Sequence, residues 1–203
     1  MNSAALSRFR MILWGLVVIT ALGATGLYVY SLMTGRLIQN PATAGIGGGT
    51  YSLVDGSGAT VDQTMFTGQP SLLFFGFTHC PDVCPTTLAE MATWFEALGP
   101  EAGNLKAYFV TVDPERDTPE VVGDYVGWMD GKVTAVTGSR EEIDKIISAW
   151  KVLGEKVGEG DDYTMNHTAS VFLVNRQGGF EGTIAYGEDA STAVAKIRKL
   201  MGA

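Results

Sequence analysis

Ser71-Leu72-Leu73-Phe74-Phe75-Gly76-Phe77-Thr78-His79-Cys80-Pro81-Asp82-Val83-Cys84-Pro85-Thr86-Thr87-Leu88 is the stretch on which the fold turns. Its first part, Ser71 to Phe77, is a continuous apolar run without polar alternation. Such a run reads as a strand covered on both faces, as in the middle of a parallel sheet. Pro81, Asp82 and Pro85 then form a turn that carries both cysteines of the chain. From Thr86 onward, Leu88, Met91, Phe95 and Leu98 recur at helical spacing, and Gly99-Pro100 stops the helix.

The same alternation continues outward. Ala107 to Val112 is a second apolar strand. In the loop Asp113-Pro114-Glu115-Arg116-Asp117-Thr118-Pro119, Thr118 is placed to cap a helix with Pro119 in its first turn, and that helix is expected to reach about Met129. Val133 to Thr137 follows as a strand, and Ser139 with Glu142 makes a capping box for a helix ending near Trp150. Ala169 to Val174 and Phe180 to Tyr186 flank the turn Asn175–Gly179, and a last helix spans about Ala190 to Leu200. Before all of these, Tyr51 to Val54 and Thr60 to Val61 flank Asp55-Gly56-Ser57-Gly58 as a β-hairpin. Strands alternating with helices indicate one layered α/β domain over residues 51–203.

The N-terminal part has a different character. No residue from Met11 to Met33 is charged. As a helix at ~1.5 Å per residue this run would be roughly 34 Å long, enough for a hydrocarbon core of about 30 Å. Arg8 and Arg10 precede it and Arg36 follows. The expected layout is a cytoplasmic N-terminus at 1–10, a single transmembrane anchor at 11–33, and a Gly- and Pro-containing tether at 34–50. A cleaved signal peptide is the competing reading, with Ala21, Gly23, Ala24 and Gly26 as small residues near a cleavage point; either reading exports the domain. Without an Arg- and Ser-rich transit region, the expected location is a bacterial inner membrane with the domain in the periplasm.

Three of the 14 basic residues, and none of the 22 acidic ones, lie before residue 37. The rest of the chain therefore holds 11 basic against 22 acidic side chains, a net charge of −11. That disfavours a nucleic-acid partner and fits solubility or a basic protein patch.

Two thiols four residues apart on a turn can hold a soft metal or form a disulfide. Core filling is a poor third, because the residues between and after them are turn formers. Cys84 falls at a helix N-terminus, where the dipole and free amides favour a thiolate, the reactive form for both roles. Thioredoxin-type redox motifs have two residues between the cysteines; this chain has three. Such enzymes also present a proline just before a later strand, whereas the last proline here is Pro119 and Met165-Asn166-His167-Thr168 stands before Ala169. His167 offers a nitrogen in that place. Peroxidase chemistry of the peroxiredoxin kind needs a threonine three residues before its Cys-Pro-Thr cysteine, where this chain has Pro81. Two thiolates and one imidazole suit Cu(I), while zinc prefers a larger ligand set. His79 is a poor co-ligand with its neighbour Cys80, since adjacent side chains diverge; loop packing or support of the site is the better reading for it. Asp82 is a further candidate for supporting the site.

The runs Phe75–Leu88, Val112–Pro119 and Asn166-His167-Thr168-Ala169 together resemble the Sco/SenC copper proteins, across nearly the whole of the exported domain. The resemblance implies a thioredoxin-like fold, a site for copper, Cu(I) or Cu(II), made by Cys80, Cys84 and His167, and a non-enzymatic role in assembling cytochrome c oxidase. Family members supply copper to the CuA centre of oxidase subunit II, which implies that subunit, a copper donor and a thiol reductant as partners. Some members look more like thiol-disulfide reductases that keep the CuA cysteines reduced, so an exported oxidoreductase using the Cys80–Cys84 disulfide stays open. Asp113, Arg116 and Asp117 belong to the family pattern too, either as helix start and local ion pairing or as a partner-docking loop.

Overall fold

The computed structural model of the chain describes residues 3–34, 45–160 and 162–202. It divides into two compact units, Met1–Ala44 and Gly45–Ala203. The described part of the first is the helix α1 (Ser3–Thr34). Among the described residues no helix is long and apolar enough to cross a membrane. Side chains of several later residues of the expected anchor, and all of 35–44 in the expected tether, lie outside the described residues.

The second unit begins ahead of the hairpin. Residues 45–50, placed within the tether by sequence, pack on the domain: the Gly47 amide donates to the Ala149 carbonyl at 2.8 Å. Gly47 has φ +82°, and a Cβ there would fall 2.9 Å from the Trp150 ring. Only glycine meets both demands.

The hairpin follows as β1 (Ser52–Asp55) and β2 (Thr60–Asp62). Its turn is held by Asp55, whose Oδ1 accepts from the amides of Ser57 and Ala59 at 2.9 and 3.0 Å. β3 (Ser71–Gly76) is buried at every residue, as its unbroken apolar run predicts. The helix α2 (Val83–Leu98) starts three residues earlier than the apolar spacing alone indicates, because Pro85 fits its first turn. β4 (Lys106–Thr111), α3 (Pro119–Val126), β5 (Thr134–Thr137) and α4 (Arg140–Trp150) then follow. Thr118 caps α3 and Ser139 caps α4 through their side-chain oxygens, the two caps read from sequence. The turn of 3₁₀ helix at Gly127–Met129 completes the expected run from Pro119 to Met129.

β6 (Gly154–Val157) and β7 (Thr164–His167) form a separate two-stranded antiparallel sheet. β8 (Val171–Val174), β9 (Phe180–Ile184) and α5 (Ala190–Gly202) complete the chain. The main sheet has seven strands in the order β2-β1-β5-β4-β3-β8-β9. β3 is parallel to β4 and antiparallel to β8, so the sheet is mixed rather than parallel around its most buried strand.

Two aromatic layers show which face is which. Phe74, Phe109 and Tyr125 pack together on the face that carries α2 and α3. Phe66, Phe75, Tyr108, Trp150 and Phe172 pack edge to face on the other, beneath the end of α4. This α/β arrangement is thioredoxin-like. It brings three loops to one end of the sheet: the cysteine turn after β3, the acidic loop after β4, and the β6–β7 hairpin.

Candidate metal centre

β3 ends at Gly76, and the turn Phe77–Asp82 delivers Cys84 as the second residue of α2. Cys84 is fully buried and Cys80 half-buried; both are free thiols. The Cys84 amide donates to the Cys80 sulfur at 3.4 Å. Cys84 Sγ lies in a notch that exists because residue 76 has no side chain. A Cβ at Gly76 would meet Cys84 Sγ at 2.8 Å and the Phe109 ring at 2.8 Å. Sequence reading gave Gly76 no role. Its signal was a lone glycine inside a strand, which often marks a close approach.

His167 arrives from the other side, as the last residue of β7. Its ring stands edge-on to Phe74 and Phe77, with centroids 6.0 and 5.8 Å away. Its Nδ1 lies 3.1 Å from the Thr168 carbonyl. A carbonyl can only accept, so Nδ1 carries the proton and Nε2 presents its lone pair. That Nε2 is 3.3 Å from Cys84 Sγ. Burial lowers the His167 pKa, which keeps the imidazole neutral and available as a ligand. The three donor atoms of Cys80, Cys84 and His167 all lie within 4.8 Å of one another, the one such group among the described residues.

Burial pushes the Cys84 thiol up, against the expectation that the helix N-terminus would favour a thiolate there. Desolvation outweighs the dipole at a side chain with no exposed surface. As a thiol, Cys84 donates its proton to Nε2. A soft cation replaces that proton, since ligand binding and deprotonation are linked. Two thiolates and one neutral imidazole form a set suited to a soft ion of low coordination number.

The acidic loop after β4 supports both arms. Asp117, fully buried, accepts from the Thr78 amide at 3.1 Å and the Thr78 hydroxyl at 2.6 Å. It also accepts from the Thr111 hydroxyl at 2.5 Å. It thereby fixes the start of the cysteine turn. Burial raises its pKa, and these donors oppose that shift. Asp113, also buried, pairs with Arg116 Nε at 2.6 Å and accepts from the Tyr163 hydroxyl at 2.7 Å. Arg116 lies 3.7 Å over the Tyr163 ring, and its Nη1 donates to the Tyr163 carbonyl at 3.0 Å. Tyr163 immediately precedes β7, so this cluster holds the strand that ends in His167. Asp113 and Asp117 thus face inward. His79 is exposed, its Nδ1 3.1 Å from the Thr78 hydroxyl, and Asp82 is exposed at the start of α2 without a side-chain cap; neither belongs to the three-donor group. Tyr163 went unnoticed in the sequence because nothing local marks a tyrosine as the partner of an aspartate 50 residues earlier.

The SCO1/SenC pattern matches residues 39–202. The human mitochondrial SCO1 homolog is 37% identical over 138 residues, 66% of this chain and 46% of that protein. The chain thus spans less than half the length of that relative. Bradyrhizobium japonicum ScoI, solved with copper bound, superposes with a TM-score of 0.70 at 38% identity, covering 75% of this chain and 98% of that one. Arabidopsis thaliana ScoI, also solved with copper bound, gives 0.71 at 31% identity over 76% and 98%. With the pattern running through the cysteine turn, the acidic loop and the histidine strand alike, the chain belongs to the SCO1/SenC family.

Proposed function

We propose that this protein binds Cu(I) through Cys80, Cys84 and His167 and hands it on as a copper chaperone. The observation that carries the reading is the convergence of two thiols and one imidazole nitrogen within 4.8 Å. Copper is the cargo. Taking up one Cu(I) releases the two thiol protons to solvent and leaves a site of net charge −1. A half-buried Cys80 leaves one side open for an incoming thiol, which suits transfer. By family resemblance, the recipient is the CuA domain of cytochrome c oxidase subunit II, fed by a separate copper donor and kept competent by a thiol reductant. The copper-bound ScoI relatives support the cargo. The uncharged run Met11–Met33 supports anchoring in a bacterial inner membrane with the domain in the periplasm.

The test separates copper from thiol chemistry. In an anaerobic titration against a chromophoric Cu(I) chelator, the reduced full chain takes up one equivalent. His167→Ala lowers that affinity at least tenfold and leaves the dithiol midpoint potential nearly unchanged. Equal copper affinity in the variant would falsify the ligand assignment. A second reading, a thiol-disulfide reductase serving the CuA cysteines, is favoured by the proximity of two free thiols on one turn. It requires turnover with an oxidised CuA domain in the absence of copper.

A further inference from the structure

Tyr125 of α3 packs its ring in the apolar layer behind the cysteine turn, yet its hydroxyl is anomalous. The oxygen is fully buried and has no hydrogen-bond partner. Its ring packs on Phe109 with centroids 5.4 Å apart. The edge of Phe109 and Cys84 Sγ both border the Gly76 notch, each 2.8 Å from the position a Cβ would take. Cys84, Cys80 and Asp117 are the acidic groups whose charges bear on the hydroxyl. A buried, unpaired tyrosine hydroxyl is uncommon and costs stability, because folding removes its water and returns nothing.

We propose that Tyr125 is a positioning residue that donates a hydrogen bond to the Cys84 sulfur in the copper-loaded state. The inference rests on the copper reading above. In the thiol state Cys84 directs its proton to His167 Nε2, 3.3 Å away, and the sulfur carries no charge that calls for a donor. Copper uptake removes that proton, turns both Nε2 and Sγ toward the ion, and leaves an anionic sulfur in an apolar notch. The buried Asp117 carboxylate adds negative charge nearby. A thiolate so placed favours a neutral donor, and the Tyr125 O–H is an unused one on a ring that packs on Phe109, the wall of the same notch. A hydrogen bond to the sulfur lowers the cost of holding an anionic thiolate in the apolar notch, and so favours the loaded state.

The variant is Tyr125→Phe in the full chain, which removes only the oxygen. Without metal, its thermal midpoint equals or exceeds that of the wild type, since an unpaired buried hydroxyl is lost, and its dithiol midpoint potential is unchanged. With Cu(I), anaerobic chelator competition gives an affinity about tenfold weaker, equivalent to about 1.4 kcal/mol, and the ultraviolet Cu(I)–thiolate band moves to lower energy. A wild type that takes up no Cu(I) removes the copper reading itself. A wild type that binds, beside a variant with the same affinity and band, overturns the role of Tyr125 and leaves the copper reading intact. A metal-free variant that melts several degrees lower overturns it as well, by showing that the hydroxyl already serves the fold.

Discussion

The two arms of the site are built by opposite means. Cys84 is held by the core: a strand with no exposed residue leads to it, and Gly76 and Phe109 shape the space around its sulfur. His167 sits on the β6–β7 hairpin, whose first strand has no buried residue and whose second buries only Met165. What fixes that arm is the polar cluster of Asp113, Arg116 and Tyr163. One ligand therefore draws its precision from apolar packing and the other from buried charge and hydrogen bonds. The two means fail differently, because packing tolerates small adjustments whereas a buried ion pair that loses one member leaves the other uncompensated.

Removing the anchor of the polar arm is expected to have the largest effect. Asp113→Ala strips the partner from Arg116, only 19% exposed, and from the Tyr163 hydroxyl. It costs about 3 kcal/mol of stability by the scale of broken buried pairs, read by chemical denaturation. Cu(I) affinity falls with it, while the metal-free dithiol potential stays within error. A shift of that potential as large as the loss in affinity would break the contrast between the arms.

A smaller effect is expected from the apolar arm. Gly76→Ala forces a methyl group into the 2.8 Å contacts with Cys84 Sγ and Phe109, and overpacking of this kind costs about 1–3 kcal/mol. Its signature is the reverse: the dithiol potential and the reactivity of Cys84 toward alkylation change, whereas proteolysis of the β6–β7 hairpin does not. The smallest effect belongs to Lys156→Ala. Its ion pair with Glu115 is about half-exposed on both sides and its ammonium lies 3.7 Å over the Tyr163 ring. Exposed pairs contribute about 0–1 kcal/mol, so both stability and copper affinity should stay near wild type. A large loss would place Lys156 inside the polar clamp.

The same contrast explains what the sequence revealed. The apolar arm was legible because a buried strand and an amphipathic helix leave periodic patterns: Ser71–Phe77, and Leu88, Met91, Phe95 and Leu98. Helix caps at Thr118 and Ser139 were legible because their signals lie within four residues of one another. The strands β6 and β7 were not, since exposed residues such as Glu155 and Lys156 carry no alternation, and His167 was read as preceding a strand rather than ending one. Asp113, Arg116 and Asp117 stood out as a motif, but their inward orientation depends on Thr78 and Tyr163, which are distant in sequence. Tyr125 and Gly76 acquire meaning only once α3 and α2 lie on the same face of the sheet.

Arg116 stacks on Tyr163 at 3.7 Å and also lies 6.0 Å over the ring of Phe77, at the start of the cysteine turn. One guanidinium thus touches the segment leading to each arm. For sequence change this makes positions 77, 113, 116 and 163 an epistatic group: once one of them is lost, the others contribute less, and combined losses fall short of the sum. Drift at these positions is then expected in coordinated steps, with the intermediate single changes the most costly.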